Sequence, residues 1–542
     1  MPVPESPADE AAPNLETPAR PHSPWSPLKI PVYRLLWSTW LAANICMWMN
    51  DVAAAWMMTS LTSVPIWVAL VQSASTLPVF LLGLPSGAMA DILDRRRYFI
   101  ITQFWLATTA VLLCVAVVLD VMTAPLLLAL TFANGIGLAM RWPVFAALIP
   151  EIVPRQQLPT ALALNGVAMN ASRILGPLVA GALIAGAGTA YVFVLNAVIS
   201  VISGFAIMRW RREHSPSPLG RERLLSAMRV GMQFVRQSAR LRSVFVRVAL
   251  FFFHSTALLA LLPLLARGLA GGDAGTYTLL LASMGLGAIV VATVLPRVRQ
   301  LFPGKSLVMA GTALQSFATL LMAFAPNIYV ASPAMFLAGM AWLSTANTLS
   351  VAAQMALPDW VRARGMSIYQ MAIMGGSAAG AALWGQAATV SSLAMSLSIS
   401  AVTGTLAMYA AQRFMLDIGI EEDLTPSREL KAPVAAQPPP SGNVVVTVEY
   451  LINPDRRGEF LPLMLLSRSS RLRQGALSWE LLHDITEPGR YVEQIIDESW
   501  TEHLRRFDRI TADDVALRER KLAFHIAEEQ PKVTRYIRET SH

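Results

Sequence analysis

The stretch RRRYFIITQFWLATTAVLLCVAVVLD, Arg95 to Asp120, decides how the rest of the chain is read. After three arginines it runs from Tyr98 to Leu119 without one charged side chain. A helix of about 20 apolar residues covers the roughly 30 Å hydrocarbon core of a bilayer, and it satisfies its own backbone hydrogen bonds where no water can. Polar residues interrupt this segment too rarely to give it a solvated face, so it reads as a membrane crossing flanked by a basic turn on one side and Asp120 on the other.

The same pattern recurs in both directions. Approximate spans are predicted at 34–60, 65–90, 98–119, 124–149, 159–187, 190–210, 244–268, 275–296, 305–325, 329–352, 363–388 and 391–413. The chain is 54% hydrophobic and 14% charged, against roughly 45–50% and 25% in a soluble protein. This is an all-α polytopic membrane protein of about twelve transmembrane helices in two six-helix halves. Its net charge of +8 lies in short blocks between apolar runs, which is the placement of membrane loops and excludes a nucleic-acid surface. Cys46 and Cys114 fall inside apolar runs without metal-ligand spacing, and no cofactor site is expected. Residues 1–32 read as a disordered tail without a cleavable signal, leaving the first helix to direct insertion.

Lys and Arg in the loops orient the spans. One set of connections carries Arg95 to Arg97, Arg155, the segment from Arg209 to Arg242, Arg297, Arg299, Lys305, Arg362 and Arg364; the other offers Arg267 as its clear base. The first set and both termini are therefore expected in the cytoplasm of a bacterium, with the chain in the inner membrane. The transporter halves are placed at 33–212 and 243–415. Between them, 213–242 is a basic linker with an amphipathic stretch that suits either an anionic leaflet surface or a partly ordered connection. An internal echo supports the halves: Gly176, Gly181 and Pro154 match Gly380, Gly385 and Pro358 at a constant offset of 204 residues. Parallel repeats of this kind place a substrate site between them near the midplane.

After a Pro-rich linker at 416–442, residues 443–542 change to a soluble pattern. Strands near 444–451, 476–483, 490–497 and 533–537, with helices near 455–473 and 501–510, predict a ferredoxin-like βαββαβ domain.

Several motifs resemble those of the major facilitator superfamily. Gly87, Asp91, Asp94, Arg95 and Arg96 stand in a loop similar to that superfamily's signature between helices 2 and 3, although Ile92 replaces the usual Arg and Asp94 the usual Gly. Thr131 occupies the place of the Arg in a fourth-helix motif, so that residue's proton-transfer role does not carry over. Ser172 to Gly181, with Gly176 and Pro177, resembles the antiporter signature of the export branch, and implies efflux. The region from Ala161 to Gly181 together with the C-terminal module is similar to enterobactin-type siderophore exporters and macrolide-efflux-like permeases. The stretch from Glu493 to Arg509 resembles the soluble extension of a subset of those permeases, which is in turn similar to small antibiotic-biosynthesis-type monooxygenases of dimeric fold. Trp479, His483, Trp500 and His503 can shape a pocket there; a dimerising or regulatory role, with a homodimer through this domain, is expected in preference to catalysis, the alternative being a bifunctional exporter whose domain modifies the compound.

Ionisable groups inside a bilayer are costly and mark function by default. Asp51 is the one carboxylate well inside any predicted span, and it is the leading proton-coupling candidate. Desolvation favours a neutral carboxyl and a nearby cation favours the carboxylate, so Arg173 or Arg141 can switch its proton load. Either arginine can equally bind an anionic substrate group or fix packing. Trp48, Trp142, Phe145, His254, Trp342 and Trp384, with Trp56, are candidates for an aromatic substrate cavity, His254 and the tryptophans having packing or interfacial roles as the alternative. The expected partners are the lipid bilayer, a small-molecule substrate and protons.

Overall fold

The computed structural model describes residues 25–154, 157–208, 224–415, 423–427, 429–430, 432–433 and 442–539. Helices α1 (Pro31–Leu61), α2 (Pro65–Ile92), α3 (Arg95–Val118), α4 (Ala124–Ile152), α5 (Leu158–Gly186) and α6 (Thr189–Met208) make the first half. After α7 (Leu224–Gln237), helices α8 (Ala239–Gly268), α9 (Ala274–Leu301), α10 (Gly304–Ala323), α11 (Ile328–Met355), α12 (Asp359–Val390) and α13 (Leu393–Phe414) make the second. Ten of the twelve long helices are apolar enough to cross a membrane by length and composition. The other two, α1 and α12, are 31 and 32 residues long, and their Trp, Asn, Gly and charged residues reduce their mean hydropathy.

Local chemistry sets the helix starts. At the face opposite the arginine-bearing turns, α4, α9, α11 and α13 begin on Thr123, Asp273, Asn327 and Ser392, whose side chains accept from backbone N–H groups of the first turn. At the arginine-bearing face Asp94 caps α3, accepting from the Arg97 N–H at 2.8 Å. That gives the aspartate at the motif's usual glycine position a structural task of its own, while Arg96 donates to the Met208 carbonyl at 2.6 Å. The side chains of Gly87, Asp91, Arg95 and Trp142 lie outside the described residues.

The 204-residue echo is a symmetry of contacts. A Cβ on Gly176 would meet Trp48 of α1 and one on Gly380 would meet Phe253 of α8; a Cβ on Gly181 would meet Thr278 of α9 and one on Gly385 would meet Ala69 of α2. Each pair repeats one contact with the halves exchanged, so α5 and α12 are equivalent helices that each cross to the other half. Ser172, near the start of the first seam, donates to the Ala168 carbonyl at 2.7 Å and packs α5 against α1.

The C-terminal domain carries β1 (Val444–Leu451), α14 (Arg457–Arg473), β2 (Ser478–His483), β3 (Arg490–Asp497), α15 (Trp500–Asp508), α16 (Ala512–Leu522) and β4 (Val533–Ile537). Its antiparallel sheet has the order β2-β3-β1-β4, the ferredoxin-like arrangement. Residues Val444, Val446, Val448 and Tyr450 alternate inward along β1, and with Phe460, Met464 and Tyr491 they form the core under the helices. Helix α16, which the hydrophobic pattern did not disclose, starts on a reciprocal cap between Thr511 and Asp514.

This domain docks on the transporter through α7. Val230, Phe234 and Val235 of α7 are buried, and Phe234 meets Trp360 of α12 edge-on at 5.6 Å, so the amphipathic helix spends its apolar face on protein. Arg229 pairs with Glu498 at 2.7 Å, Gln233 donates to the Ala476 carbonyl at 2.9 Å, and Arg509 covers Trp360 at 5.0 Å. The turn between α14 and β2 reaches α7 because Gly475 adopts φ +112, a conformation disfavoured with a side chain.

Two buried carboxylates tie the domain together. Burial opposes ionisation of Glu493, but Lys521 at 3.1 Å and Arg471 at 3.7 Å hold it well below the usual carboxylate range. Asp497 is also held low: burial again opposes, and Arg506 at 2.7 Å and His503 outweigh it. A depressed folded-state value contributes stability that is fully present above the unfolded value, about 4, and is lost as pH falls from there through the folded value. Hydrogen exchange in the full chain should therefore show residues 444–537 losing at least about 2 kcal/mol of protection between pH 6 and pH 3, and Glu493→Gln should flatten that dependence; a profile independent of pH would contradict the assignment.

Candidate functional site

Between the halves lies a cavity of about 120 Å³. It is lined by Trp48 and Asp51 of α1, Gln72 and Ser75 of α2, Arg173 and Pro177 of α5, Leu259 of α8, Tyr277 and Met284 of α9, and Gly339 and Trp342 of α11. Both bundles thus supply walls, and the cavity holds one carboxylate and one guanidinium among apolar and aromatic groups. Ser75 donates to the Asp51 carboxylate at 3.1 Å. Gln72 and Ser75, three residues apart, share one face of α2.

Arg173 is held by aromatic faces. Its guanidinium carbon lies 4.3 Å from the Trp342 ring centre and 5.5 Å from that of Trp48, and its Nε has no hydrogen-bond partner among the described residues. Ring quadrupoles attract the cation without neutralising it, which leaves it able to attract an anionic group or to face Asp51 across the cavity. Pro177, one turn further, has no N–H to give the Arg173 carbonyl, so the helix is weakened where the charge sits.

The other sequence candidates are placed elsewhere. Arg141 is buried within the first half, 5.0 Å over Trp40 and 3.4 Å from the Asn44 amide oxygen, and Phe145 stacks on the same Trp40 at 3.8 Å. His254 contacts the Leu250 carbonyl at 2.8 Å and packs beside Trp384, whose indole N–H donates to the Phe253 carbonyl at 3.0 Å. Those two residues join α8 to α12 and α13. Among the described residues Trp48 and Trp342 are the aromatic candidates that line the cavity; Tyr277 lines it too and stacks on Trp56 at 5.7 Å.

At the face opposite the arginine-bearing turns the halves are bolted together. Arg267 of α8 donates to the Thr59 carbonyl of α1 at 2.7 Å and covers Trp56 at 4.9 Å, while the Ile66 N–H of α2 donates to Thr389 of α12 at 2.9 Å. Arg267→Ala removes this bolt, and a thiol placed at Ala55 should then react several-fold faster from that face; an unchanged rate would show that Arg267 does not close it. No group of three His, Cys, Asp or Glu among the described residues can hold a metal ion.

Two six-helix bundles closed around a central cavity define a membrane transporter. The chain belongs to the transmembrane secretion effector family of MFS transporters, whose sequence profile matches residues 22–542, the soluble domain included. It is 22% identical over 253 residues to the staphyloferrin A transporter of Staphylococcus aureus (strain NCTC 8325 / PS 47), which covers 46% of this chain and 63% of that protein. It is 25% identical over 177 residues to the uncharacterized MFS-type transporter YfiS of Bacillus subtilis (strain 168), covering 32% and 41%. The match therefore spans less than two thirds of either relative. Among solved structures, the nucleoside transporter NupG superposes with a TM-score of 0.57 at 12% identity, covering 70% of this chain and 98% of that one. A bacterial homolog of the human lysosomal transporter Spinster, in an inward-facing and unoccupied conformation, superposes with a TM-score of 0.52 at 15% identity, covering 72% and 96%. These likenesses are to the fold.

Proposed function

We propose that the chain is a secondary active transporter of the bacterial plasma membrane that exports a small amphipathic compound, such as a drug, a siderophore or another natural product, by alternating access and proton antiport. The observation that carries this reading is the cavity itself, where Asp51 and Arg173 of one half meet Tyr277 and Trp342 of the other. A proton and a donor group on the substrate compete for the same carboxylate. That competition is the exchange that antiport requires, because occupancy by one weakens the other. Arg173 supplies a place for an anionic or carbonyl group, and the tryptophans supply apolar surface. The antiporter-like seam at Ser172 to Gly181 supports outward movement, and the name of the staphyloferrin A transporter supports a siderophore-like natural product as cargo.

With the arginine-bearing turns in the cytoplasm, the Arg267 closure faces outward, and the inner face is the route by which cargo is expected to enter. The experiment compares a compound panel in a deletion strain and its complemented counterpart. Restored appearance of one compound in the medium, suppressed by collapsing the pH gradient, is the expected result. A compound whose uptake, rather than release, depends on the gene would overturn export.

A further inference from the structure

A second cavity, of about 230 Å³, lies in the C-terminal domain between the inner face of the sheet and helices α14 to α16. Val446, Val448 and Ile495 form its floor, and Arg471, Arg506, Arg518 and Arg535 line its walls, with no carboxylate lining it among the described residues. Four guanidinium groups around one apolar floor repel each other unless counter-charge is supplied. The nearest acids are already engaged. Asp497 receives Arg506 at 2.7 and 2.9 Å and contacts His503 at 2.7 Å. Glu493 lies 3.7 Å from Arg471 and receives Lys521, Ser467 and Trp479, so Arg506 and Arg471 have counter-charges of their own. Among the described residues, neither Arg518 nor Arg535 meets a carboxylate within ion-pair distance; Arg535 donates to the His503 ring at 3.2 Å. One buried donor of the lining is unpartnered among the described residues: Nε of Arg506, a residue 6% exposed. A buried donor left unmatched is costly, and native structures that keep one commonly reserve it for a ligand or water.

We propose that this cavity is a binding site for a small amphipathic organic anion, with its carboxylate held by Arg518, Arg535 and Arg506 and its apolar body laid on Val446, Val448 and Ile495. Planar guanidinium forks match a carboxylate in geometry as well as charge. The floor selects an organic anion over inorganic phosphate, which would gain the charge but not the apolar contact. The site is separate from the membrane cavity and stands whether or not the transport direction is outward.

Purified full-length protein in nanodiscs is titrated calorimetrically with 2-naphthoate, 2-naphthamide and inorganic phosphate, and hydrogen exchange locates the binding. Naphthoate is expected to bind at least about tenfold tighter than the amide or phosphate, the value of one charge-assisted contact, and to protect segments around 471–474 and 506–518. The double substitution Arg518→Gln, Arg535→Gln should weaken naphthoate at least about tenfold. If that variant loses the fold of the domain by exchange, the single substitutions decide, each expected to weaken binding several-fold, with Arg518→Lys, which keeps the charge but not the fork, weakened less than Arg518→Gln. Equal affinity for the amide, protection confined to the membrane helices, or binding indifferent to the substitutions would each overturn the proposal, as would no binding at millimolar naphthoate.

Discussion

Asp51→Asn is expected to cut pH-gradient-driven transport about 100-fold, the upper end of the roughly 1–3 kcal/mol by which one site couples to another. Asn preserves the shape of the side chain and its hydrogen bond from Ser75, so the bundle keeps its fold and its cavity. What is lost is the ability to take up and release a proton between two conformations. Downhill substrate exchange should persist while the response to an imposed gradient vanishes, and the two are measured side by side in proteoliposomes. Retained gradient dependence in the variant would remove Asp51 from the coupling.

The second large effect is steric. A Cβ on Gly380 would sit 2.0 Å from the carbonyl oxygen of Phe253, and a backbone atom cannot move aside as a side-chain tip can. Gly380→Val should therefore force α12 away from α8, at a cost of roughly 1–3 kcal/mol or more for overpacking. The variant should lose most of its folded yield in detergent size-exclusion profiles. Gly186→Ala, where a Cβ meets nothing within 4 Å, should leave the yield unchanged. Equal behaviour of the two would mean that the α8–α12 seam is not a close backbone contact.

The echo between Gly176 and Gly380, and between Gly181 and Gly385, made the two halves legible before any coordinates, because only small residues permit helices to cross this closely. Apolar length gave the positions of the spans for the same physical reason, since water-free lipid leaves the backbone no other partner. Depth and facing were less readable. Arg141 and Arg173 look alike along the chain, yet one lies under Trp40 inside a bundle and the other between Trp48 and Trp342 in the cavity. Spacing along one helix says nothing about which neighbouring helix presents an aromatic face. Ser75 and Tyr277 belong to the site for reasons of packing between α1, α2 and α9 that no local pattern encodes. Helix α7 shows the same limit: its amphipathic pattern suits a lipid surface, and the fold covers that face with α12 and the soluble domain instead.

Most directly, the claim of one path opened alternately from each side is tested with a single thiol in the cavity. Ala55→Cys, with Cys46 and Cys114 replaced by Ser, is exposed to a membrane-impermeant reagent from each side of sealed vesicles, with and without a pH gradient. Labelling is expected from the arginine-bearing side at rest, with reactivity shifting to the opposite side when the gradient drives turnover. Labelling confined to one side under every condition would contradict the claim.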